Sequence, residues 1–455
     1  MAANTKDLEI LLGEPRRAIR SMAIAFIFAM AVVEINQFVD TFWVSGLGTN
    51  ASSAVATVTP IYALMVAAGI GVGVGSTTTI AFRLGRSENE VANRLAGNSI
   101  TLGIILSVAA SAIVFLLAGP TIDLMGAGDI HDESMAYLMP YILMSPALLV
   151  SAILSSILRA EGAAKKSTVL QIAAAVFNMA LDPLFIYIMG LGVFGAGLAT
   201  SVSALLSIFI GFYWYATNKT IIKLDRAAMK FDKETVKEVL DVGAPKTIQT
   251  MISNMTDLIQ RVFLIVAGGV NAVMFYNFTW RYIGLVNLPG RALDSAMVPV
   301  CSAAYGQSDL DKMNTAYKYT MKIVVGFGIL AAAILFILAE PFIWVLTVED
   351  SMAALRPEFI WTLRVSVFLI PFSALMGVGS SMLQALKKAK IPMNFYFIWG
   401  FVKLGMYAVA AYGFGSFEWI IYSMVLVHVF GGVMLIWLAN REFRKAKQNI
   451  VSNIQ

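Results

Sequence analysis

The sequence predicts an all-α integral membrane protein, with twelve transmembrane helices in two parallel six-helix repeats around a central cleft. Three observations predict this class. The chain of 455 residues is 58% hydrophobic and only 13% charged, against roughly 25% charged residues in soluble domains. Apolar runs long enough to cross a bilayer follow one another along the chain. Short motifs of the first half also recur in the second half.

Twelve apolar runs account for the predicted spans. A helix that rises 1.5 Å per residue needs roughly 20 apolar residues to cross about 30 Å of hydrocarbon. Charged residues or clusters of Gly and Pro separate the runs. The first half contains residues 18–44, 52–82, 95–118, 134–158, 167–189 and 195–217, and the second half contains 242–267, 272–303, 316–339, 357–385, 391–412 and 417–439.

The distribution of basic residues predicts the orientation. Alternate connecting segments hold most of the 33 Lys and Arg residues, whereas the segments between them carry acids such as Asp129 and Glu133. Because cytoplasmic loops are enriched in Lys and Arg, both termini are expected in the cytoplasm. The basic clusters are thus topology signals, and no nucleic-acid partner is expected. The basic segments are the N-terminus, 83–94, 159–166, 219–237, 312–322, 387–390 and the C-terminus.

Recurring motifs indicate an internal duplication. The sequence GRSENE at 85–90 returns as GQSDLD at 306–311, and SSILRA at 155–160 returns as SSMLQA at 380–385. Since each half starts in the cytoplasm, the two repeats are parallel, an arrangement that secondary transporters use for alternating access. We predict an N-terminal lobe at 1–217, a polar linker at 218–241 and a C-terminal lobe at 242–455.

Two acidic residues inside predicted spans have no basic residue within one helical turn. Asp40 shares its helix face with Asn36 and Gln37, and Asp182 shares its face with Asn178. A charge in hydrocarbon costs at least roughly 2.5–3.5 kcal/mol, so such residues are usually functional. Carboxylates among other oxygen groups can hold a hard cation such as Na⁺ or take up a proton. These residues predict a cation-responsive site.

Pro183 adds an oxygen ligand to this prediction. A proline within a helix cannot donate a backbone hydrogen bond, so it frees a carbonyl one turn earlier, near Met179. A freed carbonyl beside Asp182 would be a further acceptor for a cation.

Further ionisable residues lie within the predicted spans. Glu34 precedes Asp40 on a different face of the first helix and is expected to face the cleft between the halves. Asp257 and Arg261 are four residues apart, a spacing that predicts an ion pair along one helix. Lys403 has no local partner, so either its ammonium reaches the interface or it binds a remote acid.

Four glycines at alternate positions, Gly69, Gly71, Gly73 and Gly75, form two overlapping GxxxG pairs within a long apolar run. Such pairs let transmembrane helices approach closely. They do not match the GxGxxG pattern of a dinucleotide site.

The sequence contains no pattern typical of an enzyme or a cofactor site. With one cysteine, Cys301, and two histidines, His131 and His428, it has neither an intrachain disulfide nor a Cys/His zinc cluster. His428 is expected to be a hydrogen-bonded core residue. No Walker A sequence and no nucleophile–base pattern is present. We therefore predict neither enzymatic activity nor a cofactor.

Several of these blocks resemble the multidrug and toxic compound extrusion (MATE) family, in particular its archaeal and DinF-like branch. The resemblance covers nearly the whole chain and is most specific in the first and fifth helices. It is carried by DTFWVSGLG at 40–48, LRAEG at 158–162, NMALDPLFIY at 178–187, GAGLAT at 195–200 and Trp280-Arg281.

The resemblance implies antiport, in which an entering cation drives the export of amphipathic, often cationic compounds. It also implies a coupling site in the N-terminal half, faced by Tyr137. The residues that match this site, and that would ligate Na⁺ if Na⁺ is the coupling ion, are Asp40, Asn178, Asp182 and Thr200. The chain departs from the branch two turns before Asp40, where Val33 stands in place of a glutamine and Glu34 lies next to it.

Two alternatives stay open on the sequence. A flippase for lipid-linked saccharides would need a strongly cationic cavity, for which Lys403, Arg281 and Arg364 are the candidates. A membrane-embedded enzyme lacks a catalytic pattern. The residues expected to support the site or to line the substrate cavity are Glu34, Asn36, Gln37, Tyr137, Met179, Asp257, Trp280, Arg281 and Lys403. We expect a monomer in the cell membrane that exports small organic cations or amphiphiles and uses H⁺ or Na⁺.

Overall fold

The computed structural model describes residues 2–347 and 350–452, which fold into helices joined by short connections. Helix α2 shows how the sequence starts these elements. The carboxylate of Glu14 accepts hydrogen bonds from the backbone N–H groups of Arg16 and Arg17, and Pro15 supplies a helical φ at the first position.

The α-helices of the first half are α1 Ala2–Leu12, α2 Pro15–Ser45, α3 Thr49–Gly85, α4 Asn89–Leu124, α5 His131–Leu143, α6 Ser145–Ala160, α7 Ala164–Pro183 and α8 Gly192–Ala216. Those of the second half are α9 Lys233–Val286, α10 Leu288–Gly306, α11 Leu310–Ile337, α12 Ala339–Leu346, α13 Asp350–Ala353, α14 Arg356–Ser366, α15 Ile370–Ala385, α16 Lys390–Ala408 and α17 Phe417–Ser452.

The twelve predicted spans correspond to this helix order. Within the described residues, ten helical segments are long and apolar enough to cross a membrane on their own. The predicted span 134–158 is a pair of helices, α5 and α6, bent by 56° at Met144. Helix α9 has 54 residues and contains Gly269 in a non-helical conformation (φ 66°, ψ −160°), so two spans are joined there. With the bent pair as one span and α9 as two, all twelve are accounted for.

Backbone conformations confirm the duplication. Ser87 in the first half and Ser308 in the second, equivalent in the repeated motif, both have left-handed φ values of 61° and 58°. Non-glycine residues adopt this conformation infrequently. Each half also contains one turn of π-helix at the equivalent place, at Leu184–Ile188 and Val409–Gly413. Repetition of such uncommon features shows two copies of one six-helix plan.

The helices form two compact units. The first consists of Met1–Thr247 with Ser302–Gln307, and the second of Ile248–Cys301 with Ser308–Gln455. The beginning of α9 belongs to the first unit, where Val236 and Val239 join a core of buried residues from α3, α4 and α6. The second unit has its own buried clusters, including one around Tyr407 and Ile420.

The four alternating glycines of α3 allow close packing on two sides. A Cβ atom at Gly73 would lie 2.6 Å from the Ser156 hydroxyl of α6. One at Gly75 would lie 2.4 Å from the Val239 carbonyl oxygen of α9. The two overlapping GxxxG pairs therefore serve two different neighbours, which confirms the predicted role of these glycines.

The segment between α8 and α9 is fixed to the first unit by hydrogen bonds. Glu161, in the loop between α6 and α7, accepts bonds from the backbone N–H groups of Ile221 and Ile222, each at 2.9 Å. Asn98 of α4 accepts a bond from the N–H of Asp232 at 2.9 Å. A polar segment is thus held in place at two separated points.

Candidate ion-coupling site

Three helices of the first unit bring the predicted coupling residues together. Helix α7 packs against both α2 and α8. Asp40 comes from α2, Asn178 and Asp182 come from successive turns of one face of α7, and Thr200 comes from α8. The side chains of Asn178 and Asp182 are buried, with 2% and 0% exposure.

A hydrogen-bond network connects these helices. Asn36 Nδ2 donates to Asn178 Oδ1 at 2.8 Å. Asn178 Nδ2 contacts two acceptors, Asp182 Oδ1 at 3.1 Å and Thr200 Oγ1 at 3.3 Å. Asn178 therefore connects α2 to α8 through a single amide, and it orients one oxygen of Asp182.

Three buried oxygen atoms of the site accept no hydrogen bond within the described structure. They are Asp40 Oδ1, Asp182 Oδ2 and Asn36 Oδ1. The two carboxylates are close enough to interact electrostatically. A buried acceptor without a donor costs roughly 1–3 kcal/mol, and more if it is charged. A cation or a proton at this place would satisfy these oxygens and reduce the repulsion between the acids.

Tyrosines form one side of the site. Tyr141 Oη lies 3.0 Å from Tyr137 Oη and 3.3 Å from Thr200 Oγ1. The Tyr141 ring also packs on Tyr62 of α3, with ring centroids 4.5 Å apart. Sequence reasoning identified Tyr137 but missed Tyr62 and Tyr141. The signal for Tyr141 was its position one helical turn after Tyr137, whereas nothing in the sequence pattern indicates Tyr62.

The backbone of α7 changes conformation directly after Asp182. Pro183 is its last residue, and one turn of π-helix follows at Leu184–Ile188. Such turns are uncommon and frequently occur at functional sites. Met179 is half-buried one turn before Pro183. Since proline has no N–H, the Met179 carbonyl lacks its usual helical donor.

Two further residues of the prediction also belong to α2. Gln37 is an exposed residue, and its carbonyl accepts a bond from the Thr41 hydroxyl at 2.7 Å. Glu34 is half-buried.

The remaining predicted residues belong to the second unit. Trp280 packs against Tyr276, with ring centroids 4.5 Å apart. Arg281 is the next residue of α9 and is exposed. His428 donates from Nδ1 to the Met424 carbonyl at 2.7 Å, which confirms its expected hydrogen bond.

Asp257 pairs across helices rather than along one. Its Oδ1 atom lies 2.7 Å from Lys403 Nζ of α16. The predicted pair of Asp257 with Arg261 is therefore wrong, because the packing of α16 against α9 places a lysine closer. Of the two possibilities for Lys403, binding to a remote acid is the correct one.

The donor set of the first unit suits a hard cation or a proton. No cluster of three or more His, Cys, Asp or Glu side chains arranged to hold a metal occurs in the described residues. The site does contain two carboxylates together with amide and hydroxyl oxygens, and hard cations prefer oxygen ligands.

Comparison with known proteins identifies the family. The MatE family model matches residues 25–184 and again residues 245–404, one match in each half. A protein named FAD transporter from Shewanella oneidensis is 22% identical over 455 residues, covering 96% of this chain and 97% of that protein. The multidrug export protein MepA of Staphylococcus aureus is 26% identical over 345 residues, 73% of each chain.

Solved structures agree with the fold. A transporter of the MOP superfamily from Pyrococcus furiosus superimposes with a TM-score of 0.92 at 24% identity, covering 98% of this chain and 99% of that one. A MATE protein in complex with MaL6 gives a TM-score of 0.92 at 25% identity, covering 97% and 99%. With two family-model matches that together cover most of the sequence, the chain belongs to the MatE family and is a multi-pass membrane transporter.

Proposed function

We propose that this protein is a secondary antiporter, which exports amphipathic, often cationic small molecules in exchange for H⁺ or Na⁺. The observation that carries the proposal is the pair of acids Asp40 and Asp182 in the first unit, of which Asp40 is half-buried and Asp182 is buried. Asp40 and Asp182 each have one buried oxygen without a hydrogen-bond donor. We assign the coupling ion to this place.

The proposed coupling follows from electrostatics. Without a bound cation, two acids repel each other, and their free oxygens are poorly satisfied. A proton or Na⁺ would bring Asp40 on α2 and Asp182 on α7 together, while Asn178 links α7 to α8. Ion binding would therefore change the relative stability of two arrangements of these helices, which is the requirement for coupling.

The substrate class is inferred from chemistry and from relatives. MepA is named as a multidrug exporter and another relative as an FAD transporter. Both names describe the transport of organic molecules. We propose the same broad class for this chain, moved by alternating access between an N-terminal lobe at 1–217 and a C-terminal lobe at 242–455, with both termini in the cytoplasm.

The flippase alternative has less support. It needs unpaired cations, but Lys403 pairs with Asp257, and Arg364 Nη2 lies 3.1 Å from Glu340 Oε1. Each of these positive charges already has a counter-ion.

The test is transport by the purified protein in liposomes. A fluorescent organic cation is loaded, and its efflux is followed under an imposed H⁺ gradient, an imposed Na⁺ gradient or no gradient. We expect one of the two gradients to accelerate efflux in the wild type, and Asp40→Asn and Asp182→Asn to abolish that acceleration. The proposal is refuted if neither gradient changes the rate of efflux in the wild type, or if a gradient accelerates efflux in both variants as much as in the wild type.

A further inference from the structure

The second unit contains a cavity that the coupling site does not use. Its volume is about 200 Å³. Trp399, Tyr396 and Met376 contribute apolar surface, and Asp257, Lys403 and His428 contribute polar groups. All of these residues belong to the second unit.

The ion pair in this cavity is asymmetric. The Lys403 side chain is 15% exposed, whereas that of Asp257 is 56% exposed. Lys403 also lies over the ring of Tyr407, with Nζ 5.8 Å from the centroid, and Tyr407 is fully buried. The lysine is therefore held inside the unit, while the aspartate lies at the surface of the unit.

This asymmetry determines which ligand charge can enter. If Asp257 turns away from Lys403, the ammonium stays largely buried and needs another anion. A cationic ligand would compete with Lys403 for the Asp257 carboxylate, and if it drew the carboxylate away, the buried ammonium would lose its counter-ion, which is strongly unfavourable. The cavity thus favours an anion over a cation.

The walls favour an apolar body behind the anionic group. Trp399 donates its indole N–H to the Val427 carbonyl at 3.2 Å, so it offers a ligand only its ring surface. It is held rigidly by stacking on Phe395 at 5.4 Å. His428 uses Nδ1 for the Met424 carbonyl, so in the neutral ring Nε2 is an acceptor for a ligand hydroxyl.

We propose that this cavity binds the carboxylate of a small amphipathic molecule, with Lys403 exchanging the Asp257 carboxylate for that of the ligand. A cavity of roughly 150 Å³ is known to hold benzene. The available volume therefore fits one aromatic ring with a carboxylate. The inference does not depend on the coupling site, which lies in the other unit.

Binding of radiolabelled benzoate to the full-length protein in detergent tests this site. Lys403→Gln should weaken benzoate binding more than tenfold. Asp257→Asn should instead tighten it by about fivefold, the size expected when a partly exposed competing ion pair is removed. A purely structural ion pair would make both variants weaker, so opposite signs are diagnostic. Thermal unfolding of each variant checks that it is folded.

The charge of the ligand and its source, lipid or water, are tested in parallel. Benzylammonium, which matches benzoate in shape but not in charge, should not displace it from the wild type. If palmitate displaces radiolabelled benzoate more strongly than unlabelled benzoate does, the carboxylate comes from a bilayer lipid. If unlabelled benzoate displaces it more strongly, the ligand is a water-soluble acid. Asp182→Asn should bind benzoate as the wild type does, because Asp182 lies in the other unit. Failure of the benzoate site can therefore be distinguished from failure of the proposed function. Preferential binding of benzylammonium, or weaker benzoate binding in Asp257→Asn, would overturn the inference.

Discussion

Asp40 and Asp182 each have a buried oxygen atom that accepts no hydrogen bond, whereas Asp182 Oδ1 accepts one from the Asn178 amide. A carboxylate kept in such surroundings is poorly stabilised until a cation or proton arrives. The amide of Asn178 joins α2, α7 and α8 through its hydrogen bonds. In the proposed function, coupling would therefore depend on this neutral residue as well as on the two acids.

Replacing Asn178 by alanine should therefore impair coupling. Asn36 loses its acceptor and Asp182 Oδ1 loses its donor, at a cost of roughly 1–3 kcal/mol for each buried group left unsatisfied. We expect gradient-driven efflux to fall at least tenfold, measured in proteoliposomes. Gln171→Ala is the matched control, since this amide on the same helix bonds only one turn back, to Ser167. Equal losses in both variants would contradict the role given to Asn178.

The sequence made part of this site predictable. Asp40, Asn178 and Asp182 could be found because each acid lacked a local counter-charge in an apolar run. Thr200 and Tyr137 followed only from family resemblance, since a hydroxyl in a helix carries no comparable signal. Tyr62 and the Asp257–Lys403 pair were not predictable, because their contacts join distant helices whose packing no local spacing reveals.

At the scale of elements, close packing of α3 depends on its glycines. Gly75 is buried where α3 meets the beginning of α9, and any side chain there would contact the Val239 carbonyl. The same two helices are joined by Arg83 and Glu238, with Nη2 and Oε2 2.8 Å apart. Small residues and one ion pair thus fix α9 against α3.

Gly75→Ala should destabilise the protein. The added methyl must displace backbone, and overpacking of this kind costs roughly 1–3 kcal/mol. We expect a lower midpoint of thermal unfolding in detergent. Gly326→Ala in α11 is the control, because a Cβ atom there meets nothing within 4 Å. Its midpoint should stay the same or rise slightly, since alanine favours helix. An unchanged midpoint for Gly75→Ala would contradict the packing argument.

The loop between α6 and α7 contains a buried acid outside the candidate site, Glu161, which is 1% exposed. Burial raises its pKa from the ordinary 4.5 to about 7, although the N–H groups of Ile221 and Ile222 oppose the shift. Lys166 and Asp7 also interact with Glu161, but they pair with each other at 2.9 Å. Tyr215 faces it from α8. The loop therefore holds a proton more tightly in the folded state.

This shift predicts a pH dependence of stability. Because the pKa is higher in the folded protein, the stabilisation is complete below about pH 4.5 and is lost as the pH rises through 7. The loss can reach about 3 kcal/mol, since one pKa unit corresponds to about 1.4 kcal/mol. Thermal unfolding between pH 5 and 8 should show a falling midpoint that flattens in Glu161→Gln. Glu90→Gln, at an exposed position, should not change the slope, and a wild-type slope in Glu161→Gln would refute the assignment.

At the scale of the whole molecule, the two halves share one arrangement of helices but differ in the polar residues at equivalent positions. Both halves have the π-helical turn, yet Asn178 and Asp182 of the first correspond to Lys403 and Tyr407 of the second. Repetition of motifs in the sequence predicted the shared plan. It also predicted that the two halves differ in these residues, because the equivalent positions could be compared directly. The first unit thus places an amide and a carboxylate where the second unit places a lysine and a tyrosine.

The predicted orientation can be tested by labelling. In a Cys301→Ser background, which removes the sole cysteine, cysteines are introduced at the exposed positions Asp129 and Arg226. If both termini are cytoplasmic, a membrane-impermeant maleimide added to intact cells labels position 129 and not 226. Labelling of 226 in intact cells would reverse the proposed orientation.

The most direct test of the central claim compares two modes of transport in the same proteoliposomes. Gradient-driven efflux requires ion coupling, whereas counterflow of labelled against unlabelled substrate requires only substrate movement. For Asp40→Asn and Asp182→Asn, we predict that gradient-driven efflux is lost while counterflow continues at a measurable rate. If the ratio of gradient-driven efflux to counterflow in these variants equals that of the wild type, the assignment of the coupling site to the two carboxylates is contradicted.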